Sequence, residues 1–104
     1  MSNEQGENRA ESDPLQELEQ LRERIDEVDE QILQSLAKRF ELVSKIGKLK
    51  RHHGLKVYDS ERAQGVEKKW RLCAERFGFS PECAAKIYKI IHECSVEAQR
   101  NIKD

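Results

Sequence analysis

Residues 31–50 read QILQSLAKRFELVSKIGKLK, an amphipathic stretch whose apolar spacing decides the fold. Alternating steps of four and three from Leu18 carry one seam through it: Leu18, Arg22, Ile25, Asp29, Ile32, Leu36, Arg39, Val43, Ile46 and Lys50. Six of these ten positions are apolar, as a helix needs in order to bury one stripe against a partner. The other four are Arg22, Asp29, Arg39 and Lys50, so three cations and one acid stand where packing calls for leucine.

Working outward, the segment DPLQ at residues 13–16 supplies a helix start. Asp13 is placed to cap, Pro14 fits the first turn, and Gln16 is placed to reach back as in a capping box. The periodic pattern then runs to Lys50 or His52. At ~1.5 Å per residue that predicts a rod of roughly 55 Å, longer than a chain of this size is wide when folded alone. A second copy of the chain is the simplest cover for its seam. Residues 1–13 are polar, and residues 1–12 in particular are too poor in apolar groups to build a core, so the reading is a disordered tail followed by one domain over 14–104.

After HHG at residues 52–54, an extended piece through Val57 and Tyr58 leads to Asp59 or Ser60 as the cap of a second helix. Its predicted buried line is Ala63, Val66, Trp70, Cys73 and Phe77, and Gly65 lowers its propensity without ending it. FGFSPE at residues 77–82 stops it: Gly78 suits a left-handed cap, Ser80 caps a third helix, and Pro81 opens it. That helix runs to about Asn101, with Ala84, Ile87, Ile91, Cys94 and Ala98 as its expected buried line. Period-two alternation is missing throughout, so the fold class is all-α with three helices, the first very long.

The totals agree. Of 104 residues, 38% are charged and 37% hydrophobic, and 19 basic against 20 acidic side chains leave a net charge of −1. No overall field draws the chain to nucleic acid, no apolar run reaches the ~20 residues of a membrane span, and the first residues lack the basic and apolar regions of a signal peptide. Cytoplasmic residence is the expectation. Cys73, Cys83 and Cys94 are odd in number and contain no C-x-x-C pair, which favours small apolar fillers over disulfides or zinc. His52 and His53 are adjacent and point apart, as solvated loop residues do; no metal and no cofactor is expected.

Charges on a seam have structural explanations. One polar residue can fix register, and long basic side chains can lay their stems on apolar surface with their heads in water. Three cations on one line with one acid go further, because together in a low dielectric they call for a counter-charge from outside. Asp59 and Arg62 open the second helix, while Ser95 and Gln99 flank the apolar line of the third. A buried Ser and Gln are usually a satisfied pair; here they also offer neutral donors. The set suits a small dianion held between helices by guanidinium forks, an ammonium and an amide. With no nucleophile, phosphate loop or cofactor fingerprint, any catalysis would proceed by orientation and electrostatics.

LRERIDEVDEQILQSLAKRFELVSKIGKLK, then VYDSER, then IIHECSVEAQ resemble the small all-helical chorismate mutases over residues 15–102. The resemblance implies an intertwined homodimeric helical bundle whose long first helices cross between subunits. It also implies a cofactor-free Claisen rearrangement of chorismate to prephenate, in phenylalanine and tyrosine biosynthesis. By the same resemblance, Arg22 reaches into the partner's site and clamps a carboxylate, and Arg39 holds a carboxylate in its own subunit. Lys50 and Gln99 donate to the ether oxygen, Lys50 also meeting a carboxylate, while Ser95 and Arg62 support carboxylate binding and Asp59 helps hold the ring hydroxyl. The family commonly carries a glutamate where Ala63 stands here, which raises the 4-amino-4-deoxy analogue as an alternative substrate. Tyr58, Asp59 and Ser95 argue against the related isochorismate-pyruvate lyases. A catalytically silent helical dimerisation module is the alternative from another class, and a nucleic-acid binder is disfavoured because acids match the basic residues. No effector domain is recognisable, so feedback inhibition is not expected.

Overall fold

Each helix begins and ends where the sequence supplies the chemistry for it. The computed structural model describes residues 13–56 and 58–100. The expected tail over 1–12, Val57 of the extended piece and the expected helix end at Asn101 lie outside the described residues. Among the described residues there are three helices and no strand: α1 Pro14–His52, α2 Ser60–Phe77 and α3 Pro81–Arg100. Asp13 caps α1 by accepting from Leu15 N at 3.1 Å. Asp59, with extended backbone, caps α2 by accepting from Arg62 N at 3.1 Å, and Ser80 Oγ caps α3 by accepting from Cys83 N at 3.1 Å. Each bond satisfies an amide that the helix itself leaves without a partner.

The two helix stops share one geometry. Gly54 has φ 64° and Gly78 has φ 86°, conformations that glycine adopts without strain. Beyond α1, Gly54 N donates to Arg51 O at 3.2 Å and Leu55 N to Lys50 O at 2.7 Å. Beyond α2, Gly78 N donates to Glu75 O at 3.2 Å and Phe79 N to Ala74 O at 2.9 Å. Both pairs are the crossed bonds of a Schellman motif. The first fixes the backbone at Lys50.

The chain divides into two units, residues 1–37 and 38–104. In the first, every described residue from 13 to 35 is exposed within the single chain, seam residues Leu18, Ile25 and Ile32 included. In the second, α2 packs along α3 over Ala74, Ala84, Ala85, Tyr88 and Ile91. Alanines let the backbones approach closely, and the Trp70 ring lies tilted against Tyr88 with centroids 5.4 Å apart. Burying Ile91 alone contributes about 2 kcal/mol.

The buried face of α3 is turned from the expected one. Ala84 and Ile91 are buried as expected, but Ile87 and Cys94 are exposed, and Ala85, Tyr88 and Ser95 are buried instead. The spacing of 84, 88, 91 and 95 is equally helical, and the polar cost of Ser95 is offset because its hydroxyl donates to Ile91 O at 2.9 Å. On α2, Phe77 is exposed and Ala74 is buried beside a half-buried Cys73. All three thiols are free, and Cys83 and Cys94 are exposed rather than core fillers.

Candidate active site

A cavity of about 470 Å³ lies in the second unit, between the carboxyl-terminal part of α1 and the pair α2 and α3. Arg39, Lys50, Asp59, Arg62, Ser95 and Gln99 all line it. Local structure explains how each arrives there. Arg39 and Lys50 are eleven residues apart on α1, three turns along one face, and the Gly54 stop holds the turn that carries Lys50. The α2 cap places Asp59 and Arg62 together at that helix's start. Ser95 and Gln99 stand one turn apart on α3. Arg22 belongs to the first unit and is exposed there.

Three cations and one carboxylate therefore face one space, with apolar walls that include Ile46, Val66 and Val96. Arg39 is held: its Nη1 donates to Ser95 Oγ at 2.8 Å, and Ser95 is 6% exposed. Because the only proton of Ser95 goes to Ile91 O, its hydroxyl acts toward Arg39 as an acceptor. The expectation of Ser95 as a neutral donor is thus replaced by Ser95 as an anchor for the guanidinium. Asp59 is similarly engaged through one oxygen in the α2 cap.

Three aromatic cavity residues went unassigned in the sequence: Tyr88, His92 and, as a wall, Tyr58. Tyr88 Oη and His92 Nδ1 are 3.4 Å apart, their rings stack with centroids 5.5 Å apart, and Tyr58 lies tilted on His92 at 5.6 Å. His92 Nε2 is buried with no hydrogen-bond partner among the described residues. Burial pushes the Tyr88 phenol above its ordinary pKa, against the opposing fields of Arg39 and Arg62, while Glu67 and Tyr58 add to the rise. The phenol is therefore neutral at pH 7. A signal for these residues existed: had Ser95 and Gln99 set the register of α3, Tyr88 and His92 would have fallen on the same face.

The chemistry available is that of binding and orientation. Two guanidinium groups and an ammonium match carboxylates, and an amide adds a donor that needs no protonation change. Among the described residues no three His, Cys, Asp or Glu side chains gather as a metal site, and no helix is long and apolar enough to cross a membrane.

The family model for chorismate mutase type II matches residues 21–100. The chain is 43% identical over 75 residues to the T-protein of Haemophilus influenzae, covering 72% of this chain and 20% of that protein. It spans about a fifth of that relative's length. It is 26% identical over 86 residues to the chorismate mutase of Methanocaldococcus jannaschii, covering 83% of this chain and 87% of that one. Among solved structures, a chorismate mutase from Thermus thermophilus superposes with a TM-score of 0.77 at 27% identity, over 85% of this chain and 99% of that one. With the family model matched over residues 21–100 and the fold in agreement, the chain belongs to the chorismate mutase type II family.

Proposed function

We propose that this chain converts chorismate to prephenate by a Claisen rearrangement, as a step of phenylalanine and tyrosine biosynthesis in the cytoplasm. The observation that carries the reading is the convergence of Arg39, Lys50, Arg62 and Gln99 on one cavity. The reaction breaks the ether C–O bond and forms a C–C bond within one molecule, with no proton transfer and no covalent intermediate. Arg39 and Arg62 clamp carboxylates and fold the flexible substrate into its diaxial, chair-like form, which removes much of the entropic barrier. As the C–O bond stretches, the ether oxygen gains negative charge. Lys50 and Gln99 donate to that oxygen, and their bonds strengthen only as the charge develops, which lowers the barrier rather than merely binding substrate. Ser95 keeps Arg39 aligned, and Asp59 meets the ring hydroxyl.

The homodimer belongs to the same proposal. Leu18, Ile25 and Ile32 on α1 are exposed in the single chain, and a second copy covers them while bringing Arg22 to the partner's site.

Ala63 lines the cavity and supplies no polar group to the substrate's C4 substituent, which favours one second reading: the 4-amino-4-deoxy analogue as substrate. Purified protein given each compound separately, with product identified, tests both. Rapid formation of prephenate is the expected result, and Lys50→Ala or Arg39→Ala removes most of it while the chain stays helical. Turnover of the amino analogue alone favours the second reading, and normal turnover by both variants overturns the site assignment.

A further inference from the structure

Lys50 and Gln99 each stand near the described end of a helix. Lys50 is two residues from the end of α1, and Gln99 is in the last described turn of α3. Arg51, directly after Lys50, connects the two ends. Its Nη2 donates to Gln99 O at 3.3 Å and to Arg100 O at 3.1 Å. A cation at a helix carboxyl terminus also meets the negative end of the helix dipole. On its own side, the Arg51 backbone is fixed by the Gly54 stop, through Gly54 N to Arg51 O and Leu55 N to Lys50 O.

We infer that Arg51 is a positioning residue: by gripping the carbonyls of Gln99 and Arg100 it fixes the end of α3 against the turn carrying Lys50, and so holds the Gln99 amide in place opposite the Lys50 ammonium. The inference rests on the proposed rearrangement for its catalytic consequence, but the grip itself is independent of it. Arg51 does not line the cavity, so its effect runs through backbone placement and not through substrate contact. The two donors act together on one oxygen, and a displacement of either by about 1 Å is enough to cost up to about a hundredfold in rate.

Two readouts on the full chain test this. In hydrogen exchange, Arg51→Met accelerates exchange of the amides of residues 97–100 by about tenfold or more while residues 84–91 keep their protection, and Arg51→Lys falls between. Unchanged protection at 97–100, or an equal loss along all of α3, overturns the grip. In kinetics, Arg51→Met lowers kcat about tenfold with KM within about twofold, and in a Gln99→Ala background its further cost shrinks below about twofold. An undiminished cost in that background overturns the route through Gln99. Failure of the wild-type chain to rearrange chorismate would overturn the proposed function instead, and the exchange result alone then decides the grip.

Discussion

Ser95 has one proton to donate, and Ile91 O takes it, so what the hydroxyl offers Arg39 is a lone pair. Ser95→Ala leaves a half-buried guanidinium without that acceptor. Stability is expected to fall by about 1 kcal/mol, read by urea unfolding, because a charged donor loses its partner while solvent recovers part of the loss. The kinetic effect should appear mainly as a several-fold rise in KM, since Arg39 then binds carboxylate from a less fixed rotamer. A variant with unchanged KM would show that Arg39 is aligned by something else. Tyr88 acts at the same scale but through pH. Its phenol, 3% exposed, is held above its ordinary pKa of 10.0 mainly by burial. The unfolded chain therefore loses this proton first as pH rises. The resulting stability is whole below about pH 10 and declines from there until the folded phenol ionises too. Tyr88→Phe should remove that decline, so that plots of unfolding free energy against pH for the two proteins diverge in slope above pH 10. Parallel slopes would place the alkaline loss elsewhere.

At the scale of elements, what the sequence told correctly was local chemistry. Asp59 and Ser80 as caps and Gly78 as a left-handed stop need only neighbours within four residues, and each is where its side chain or backbone dictates. What it hid was the face of α3. Ala84, Ile87, Ile91, Cys94 and Ala98 make a plausible apolar line, yet the chain buries Tyr88 and Ser95, whose hydroxyls meet His92 and Ile91 one turn away on the same helix, so apolar spacing alone picked the wrong face. Six of the seven candidate site residues line one cavity, although that grouping followed from resemblance more than from periodicity. Two glycines on α2 and its boundary give a test of opposite sign. At Gly78, with φ 86°, Gly78→Ala should destabilise by about 1 kcal/mol, because no side chain prefers that conformation even with open space around it. Gly65 lies inside α2, and a Cβ there would meet nothing within 4 Å, so Gly65→Ala should stabilise by about 0.5–1 kcal/mol. Thermal or urea unfolding of the two variants reads both signs.

At the scale of the whole molecule, residues 14–37 matter most, because helix that exposes Leu21, Ile25, Val28 and Ile32 in one chain has its packing still to make. A second copy as cover predicts a particle of twice the chain's mass by light scattering. It also predicts which copy Arg22 serves. Arg22→Ala and Lys50→Ala should each be nearly inactive alone, since every site in either homodimer lacks one charge. When the two are unfolded together and refolded, about half the dimers are mixed, and in each of those one site draws Lys50 from one chain and Arg22 from the other. Activity should therefore return to about a quarter of the wild-type rate, carried by that one complete site per mixed dimer. If Arg22 served its own chain, every site in the mixture would still lack one of the two residues, and activity would stay at the level of the separate variants. The recovery thus distinguishes a shared site from two self-contained ones, using a difference that no measurement of mass alone would show.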